Sequence, residues 1–483
     1  MQTTSDDVVE PLLRAVHDFA NRHIAALRID AERRIPREVL EGMAELGLFG
    51  ITLPEEYGGA ALPALAACRV VAAMAQHDRS VATTLGLHLG LGTRGLVAWG
   101  APELKAKFLP DLASGRHIAA FATTEPGAGS DLSAIATRGV ARERTLVLNG
   151  QKIYVTNGGF AQVYTVTAST PGLGGAARGT SLVTFSADTP GVTRLGEEHK
   201  LGLKGSSTIT LMLEDAEVPL SHVLGTPGTG GEQLAHVLSW GRLLLSSGCL
   251  GSARFSLQRA IAHVHERKQF GKVLAAQEVV QRQLTEMSAR VLAMRALVEA
   301  AAQAEHDWAE LARLTTSAKV VCSEGAWSVC DLALQLHGGS GYIEDTGLAL
   351  PLRDARVPRI FEGANDVLLT HLGMLELGRA WTPATPRSET TAQVKGLRES
   401  LTRTHGLRVM GRKADQHRLG LACAWRDAAE ATHALASRTD DLTTRHLARV
   451  VETLAMRAVR PLLHDDLTTD PHLSAAFAAG SLP

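Results

Sequence analysis

Apolar residues recur three and four apart at the start of the chain, at Val8, Leu12, Leu13, Val16, Phe19 and Ala20 and again through Pro36 to Leu46. This predicts amphipathic helices from about residue 7 to 115. Between about 117 and 225 the period changes. Short runs such as Leu146-Val147-Leu148, Val163 to Val166, Ser181 to Thr184 and Thr208 to Met212 stand between Gly, Pro, Asn and Asp, the pattern of a small antiparallel β domain. Pro171 to Gly175 reads as a flexible loop inside it. Beyond Gly231, alanine- and leucine-rich stretches return over roughly 232–264, 275–305 and 307–336, with another after Gly363, and their lengths predict a four-helix bundle. Trp381 to Pro386 breaks the pattern like a linker before helical composition resumes over 392–463. The expected fold class is α+β, mostly α, in four parts: an N-terminal helical domain (1–116), a middle β domain (117–230), a C-terminal helical bundle (231–380) and a helical extension (381–483). The order helices, strands, helices argues against βαβ alternation, and no fixed-period repeat is present.

With 483 residues, 45% of them hydrophobic and 20% charged, the chain can bury a sizeable core and is not of disordered composition. Lys and Arg number 49 against 50 Asp and Glu, so no global field steers it toward nucleic acid or an anionic surface. The cysteines Cys68, Cys249, Cys322, Cys330 and Cys423 are odd in number and too scattered for a zinc or redox motif, which fits reduced thiols. Met1 to Asp7 is acidic where an export signal would be basic and then apolar, so a cytoplasmic location is expected. No apolar run approaches the roughly 18 residues of a membrane helix.

Several motif matches fail on inspection. Gly127-Ala128-Gly129-Ser130-Asp131-Leu132 lacks the last glycine and the βαβ setting of a dinucleotide fingerprint, and Gly225 to Gly231 lacks the Lys and Ser/Thr of a phosphate loop. Gly338-Gly339-Ser340-Gly341 has Tyr342 where a nucleophile elbow needs glycine. His263 and His265, two apart on a helix, point to different sides and read as surface histidines; no metal site is assigned.

Five segments in order are far more specific: Phe121 to Asp131, Lys152 to Gly158, Glu266-Arg267-Lys268-Gln269-Phe270-Gly271, Gln335 to Tyr342, and Arg359-Ile360-Phe361-Glu362-Gly363-Ala364-Asn365-Asp366. Small and hydroxyl residues at Thr124, Gly127, Gly129, Ser130 and Thr156 allow backbone amides to approach a flat heterocycle and a pyrophosphate, although such residues alone describe an ordinary turn. Glu362 alone would be an exposed loop acid, but Val357, Ile360 and Phe361 beside it make an apolar pocket that would raise its basicity. In this order the segments resemble the acyl-CoA dehydrogenase family of flavoproteins over nearly all of residues 7–378.

The resemblance implies FAD as cofactor, lined by Phe121, Thr123, Thr124, Gly129, Ser130, Tyr154 and Thr156, with Tyr154 where the family more often has tryptophan. Arg267, Phe270, Gln277, Gln335, Gly338 and Gly339 match positions that reach the FAD of a neighbouring subunit, which implies a homodimer or homotetramer; Ala364 and Asp366 are further cofactor positions. Glu362 matches the catalytic base, and Gly241, just before Arg242, stands where some relatives carry the base instead. Ser130, Arg242, Phe361 and Gly363 would touch substrate. The implied reaction is α,β-dehydrogenation of an acyl-CoA to a trans-2-enoyl-CoA. Glu362 would take the α proton and flavin N5 the β hydride, with the carbonyl polarised by the Glu362 N–H and a flavin hydroxyl, and an electron-transfer flavoprotein as acceptor.

Thr83 to Gly92 is helical in pattern but glycine-rich, where the family builds the floor of the acyl pocket; close helix packing and a deep pocket weigh about evenly there. Together with the extension, this looks most like the very-long-chain branch and points to a medium to very long acyl group. Residues 395–460 hold 13 Lys/Arg against 7 Asp/Glu. A solvated helical surface is the preferred reading of that excess over DNA or membrane contact. A further alternative is a dehydrogenase or oxidase acting on a carrier-protein-bound acyl group.

Overall fold

The computed structural model describes residues 2–175, 179–378 and 388–463; the linker-like Trp381 to Pro386 lies outside them. The N-terminal region is helical throughout: α1 (Gln2–His23), α2 (Ala26–Glu32), α3 (Arg37–Glu45), α4 (Ala64–Met74), α5 (Arg79–Leu87), α6 (Thr93–Trp99) and α7 (Pro102–Ala113). Asp78 caps α5 by accepting the Val81 N–H at 2.8 Å, which satisfies one of the donors orphaned at a helix start. A π-helical turn, His88–Gly92, carries the chain from α5 into α6.

The middle region is a sheet of β1 (Ala119–Ala122), β2 (Arg138–Arg142), β3 (Thr145–Thr156), β4 (Val163–Ser169), β5 (Thr180–Ser186), β6 (Val192–Glu197) and β7 (Thr208–Pro219). Its order is β1-β4-β2-β3-β7-β6, with β5 paired to β4. Alternation along the strands sends Leu146, Leu148, Tyr164, Val166, Phe185, Leu211 and Leu213 into one core. The expectation of a purely antiparallel sheet needs correcting, because β1 runs parallel to β4 from Ala119↔Val163 to Ala122↔Val166. The β2–β3 hairpin lies between them in sequence and supplies the long crossover that a parallel pair requires.

Three long helices follow: α8 (Gly230–Glu266), α9 (Glu278–Gln303) and α10 (Trp308–His337), with α11 (Ala349–Asp354) after them. A two-stranded hairpin, β8 (Lys268–Gln269) and β9 (Lys272–Val273), joins α8 to α9. Phe270 and Gly271 form its turn at φ 54° and 78°, the two left-handed residues that such a short loop demands. The three regions are clipped together at Asp30 on α2, which accepts a bidentate pair of hydrogen bonds from Arg353 on α11 (2.7 and 3.0 Å) and one from Lys204 at 3.3 Å.

The chain divides into two compact units between Asn365 and Asp366. The second unit holds α12 (Asn365–Gly378) from Asp366 onward, α13 (Glu389–His405), α14 (Lys413–Ala436) and α15 (Leu442–Leu463). The helix expected as fourth member of the bundle therefore groups with the extension. Backbone contact explains this: an ideal Cβ on Gly373 would lie 1.8 Å from Gln416 O, and one on Gly420 1.8 Å from Leu369 O. With no side chain in the way, α12 and α14 touch main chain to main chain. Arg426, buried on α14, bonds Glu376 on α12 at 3.0 Å and Asp427 at 3.1 Å. Among the described residues no helix is long and apolar enough to cross a membrane, and no His/Cys/Asp/Glu cluster could hold a metal.

Candidate active site

A crevice of about 290 Å³ opens in the first unit between α5, α8 and the segment before α12. Arg79, Ala82, Thr83, Gly86 and Leu87 line it from α5, Gly241, Leu244 and Leu245 from α8, and Phe361 and Glu362 close it. Apolar walls therefore meet one carboxyl. The Oε2 atom of Glu362 is buried with no hydrogen-bond partner. Burial pushes the Glu362 pKa up to about 7, against the opposing charges of Arg242, Lys319 and Arg79. An acid so placed is poised to exchange a proton near neutral pH.

The walls around Glu362 match the sequence expectation only in part. Phe361 lines the crevice as expected, whereas Ile360 points outward, 53% exposed, and Leu87, Leu244 and Leu245 supply the rest of the apolar lining. Glu362 holds φ 54° and Gly363 φ 100°, and the first of these costs a residue with a Cβ of order 1–3 kcal/mol. The turn is held from two sides. Arg242 Nε donates to the Glu362 carbonyl at 3.0 Å, and Lys319 Nζ donates to the Gly363 carbonyl at 2.6 Å. An ideal Cβ at Gly241 would stand 2.5 Å from Glu362 Oε2 and 2.4 Å from Leu91 Cδ2, so a side chain at 241 and the Glu362 carboxyl compete for the same space.

Arg79 was missed by sequence reading, which had no local signal for it beyond its place after the cap Asp78. It is buried, and it donates to Leu245 O at 3.1 Å and Cys249 Sγ at 3.6 Å. An ideal Cβ on Gly248 would lie 1.4 Å from its Nη1, so that glycine makes room for the guanidinium against α8. Lys319 was missed too, although a single lysine in the buried run Thr315 to Ser323 was a readable signal.

The glycine-rich floor resolves into two roles. Gly86 lines the crevice, whereas ideal Cβ atoms on Gly90 and Gly92 would come 3.3 Å from Gly241 Cα and 2.7 Å from Ala119 Cβ. The first glycine keeps the pocket open, and the other two let backbones pack.

The expected cofactor residues lie outside the crevice lining. Phe121 is packed in the core with Leu91, Ala119 and Val163, and the Thr123 hydroxyl pairs with Thr167 at 3.0 Å. Thr124 and Thr156 are half-buried, while Gly129 and Ser130 are exposed. Tyr154 sits at φ 57° in the β-bulge that interrupts the β3–β7 register, which turns its ring outward, 63% exposed. Arg267 and Gln335 are exposed, and the Phe270 ring is 92% exposed at the hairpin tip. Ala364 is half-buried; Asp366, exposed, faces His417 at 3.2 Å. His263, expected at the surface, is half-buried and stacks on His337 with ring centroids 4.1 Å apart. That contact arises where α8 and α10 run side by side.

These residues leave open space and one orphaned donor for a bound group. Gln277 Nε2 is buried without a partner, ideal Cβ atoms at Gly127, Gly338 and Gly339 would meet nothing, and two aromatic rings stand uncovered nearby in sequence. A helical–sheet–helical chain with a desolvated carboxyl facing an apolar-walled crevice agrees with the class of flavin-dependent oxidoreductases that its motifs resemble.

The chain belongs to the acyl-CoA dehydrogenase family. Family models for the N-terminal, middle and C-terminal domains of acyl-CoA dehydrogenase match residues 7–116, 120–216 and 228–375. An acyl-CoA dehydrogenase of Bacillus subtilis (strain 168) is 35% identical over 370 residues, 76% of this chain and 97% of that one. The very long-chain specific mitochondrial enzyme of Mus musculus is 33% identical over 347 residues, 70% of this chain but 53% of that one. The solved structure of a Bacillus anthracis acyl-CoA dehydrogenase complexed with FAD matches with TM-score 0.86 and 26% identity, covering 98% of this chain and 90% of that one. The protein is an enzyme of this family and its cofactor is FAD.

Proposed function

We propose that the enzyme removes the α and β hydrogens of a medium to very long acyl-CoA, with Glu362 as the α-proton base. The observation that carries this reading is the unpartnered, buried Glu362 Oε2 facing an apolar crevice. FAD, when bound, supplies the acceptor for the β hydride. The chain's own residues do the rest: Leu244, Leu245 and Phe361 keep water from the acyl group, Glu362 takes the proton, and Arg242 fixes the Glu362 carbonyl so that the carboxyl faces inward. The Glu362 main-chain N–H donates to no group among the described residues, which leaves it free to polarise the thioester carbonyl. Phe121, Thr124, Ser130, Tyr154 and Thr156 are the proposed flavin contacts, with Arg267, Phe270, Gln277, Gln335, Gly338 and Gly339 contributed across a homodimer.

Leu87 of α5 and Leu244 and Leu245 of α8 line the crevice beside Glu362, which supports an apolar acyl chain as the tail of the substrate. In the second unit several of these cations are paired internally. Arg412 and Arg418 pair with Asp415, Arg426 with Glu376, Arg445 with Asp440 and Arg460 with Glu389. This supports a structural role over DNA or membrane binding. Anaerobic bleaching of the flavin by acyl-CoAs of graded length tests cofactor, reaction and substrate together. Bleaching by medium to very long acyl-CoAs is expected, and no bleaching by any acyl-CoA would overturn the reading in favour of a carrier-bound substrate.

A further inference from the structure

The Glu362 turn has an anchor whose charge the proton transfer just described leaves unexplained. Lys319 is fully buried on α10. Its Nζ donates to Gly363 O at 2.6 Å and to Asn365 Oδ1 at 2.8 Å. Asn365 in turn donates to Ser323 Oγ at 3.0 Å and Glu324 Oε1 at 2.7 Å, so the contact belongs to a network that ties the turn to α10. Both acceptors of the ammonium are neutral, and Lys319 has no ion pair among the described residues. Burying a cation without a counter-charge is expensive, and a neutral donor would hold a carbonyl at far lower desolvation cost. The charge itself therefore needs a reason, and the carboxyl beside the Gly363 carbonyl is the group it can act on.

We propose that Lys319 is a positioning residue for the base: its ammonium fixes the left-handed turn at Glu362 and Gly363, and its charge, bonded only to neutral acceptors, sets how tightly Glu362 holds a proton. The proposal rests on Glu362 being the base. Three cations face that carboxyl, Arg79 from α5, Arg242 from α8 and Lys319 from α10, together with the Cys249 thiol, whose burial keeps it neutral. Arg79 is committed to Leu245 O and Arg242 to the Glu362 carbonyl. Lys319 differs, because burial draws its pKa down to about 8 against the pull of Glu362.

The test uses the FAD-loaded enzyme and four variants. Glu362→Gln examines the base assignment alone: retained turnover would remove the premise whatever Lys319 does. With that premise met, Lys319→Met and Lys319→Gln should move the acid limb of the kcat–pH profile up by about one unit, with KM for acyl-CoA changed less than about threefold and kcat at pH 6 down about tenfold. Lys319→Arg should keep the limb within about half a unit of wild type. The Gln variant can still donate to the Gly363 carbonyl, so it separates charge from anchoring and stands in if the Met variant does not fold. A readout independent of turnover is the protonated-carboxyl infrared band of Glu362, assigned by its loss in Glu362→Gln. Its titration should shift upward in the two neutral variants by the same amount as the limb. An unmoved limb or band in a folded neutral variant, or an equal shift in Lys319→Arg, overturns the proposal.

Discussion

Two buried lysine–glutamate neighbourhoods occur in the first unit, and they are built to opposite ends. In the β domain Lys152 meets Glu125 at 2.6 Å, and its remaining donors go to Thr167 Oγ1 (3.0 Å) and Thr123 O (3.3 Å). Glu125 also accepts the Ala136 and Thr137 N–H groups at 2.7 and 3.0 Å. Every valence is closed, and the network staples the strand end that carries Thr123 and Thr124 to β3 and β4. Burial alone would raise the Glu125 pKa, but the hydrogen bonds from Lys152, Thr137 and Ala136 outweigh it and hold the carboxyl below its usual range. Around Glu362 the same two residue types are kept apart. Lys319 bonds the backbone beside the acid, and the carboxyl oxygen Oε2 bonds nothing. Burial therefore wins, and the pKa rises to about 7. A satisfied buried charge is architecture, whereas one left unsatisfied beside a crevice is chemistry.

The largest expected effect comes from erasing the unsatisfied carboxyl. Glu362→Gln should lower enoyl-thioester formation by roughly 10²–10⁴-fold, the range for losing a general base, with FAD retained. Stability should move the other way. A carboxyl whose folded pKa is raised contributes stability that is fully present below its unfolded value, near 4.5, and is lost as pH rises through about 7. Glu362→Gln should thus be more stable than wild type at pH 8, by at most about 3 kcal/mol, and nearly equal to it at pH 4. Urea unfolding at the two pH values reads the difference. A variant destabilised at pH 8 would erase the contrast between the two sites.

Glu125→Gln should do the reverse. It leaves Lys152 buried without its counter-ion, a change that costs about 3–5 kcal/mol at neutral pH. Because the Glu125 pKa is held low in the folded state, its contribution is present above the unfolded carboxylate value and fades as pH falls through the folded one. The gap between variant and wild type in denaturant midpoints should accordingly close in acid. Because Lys152 also holds the Thr123 carbonyl, next to the proposed flavin contact Thr124, FAD affinity should weaken in this variant along with stability.

Gly241→Ala probes the crowding around the base directly. The added methyl would stand 2.5 Å from Glu362 Oε2 and 2.4 Å from Leu91 Cδ2, forcing the carboxyl aside. A displacement of about an ångström at a reacting group is worth up to roughly a hundredfold in rate, so kcat should fall by that order while KM changes little. Stopped-flow reduction of the flavin under anaerobic conditions measures it. An unchanged rate would mean that the carboxyl is not held where the crevice places it.

How much of this was legible in the sequence follows from the kind of signal each feature leaves. The change from helical to strand period and back gave the order of regions, because burial imposes its period on the chain locally. The parallel β1–β4 pair and the attachment of α12 to the extension were not legible, since both depend on contacts between residues far apart, such as Gly373 with Gln416 and Gly420 with Leu369. Glu362 was singled out through its surrounding motif, and of its expected walls Phe361 lines the crevice while Ile360 does not, because sequence neighbours need not be spatial ones. Arg79 left no trace, and Lys319 left only a lone charge in an apolar helix.

The smallest expected effect separates the glycines of the crevice from those of the packing. An ideal Cβ on Gly86 would find Leu244 Cβ at 3.6 Å and Val71 Cγ1 at 3.7 Å, ordinary van der Waals distances, so Gly86→Ala should fold and gain about 0.5–1 kcal/mol from the stiffer helix. Its methyl would also project where the acyl chain is proposed to lie, and the preferred chain length should shorten by about one or two carbons, at roughly 1–3 kcal/mol per misfit methylene. Gly90→Ala should instead destabilise by about 1–3 kcal/mol, because its Cβ would press to 3.3 Å from Gly241 Cα and 3.2 Å from Leu244 Cδ1, with no comparable change in chain-length preference. If both variants shift that preference alike, the π-helical turn lines the acyl pocket as well, and the pocket runs deeper than the crevice between α5 and α8.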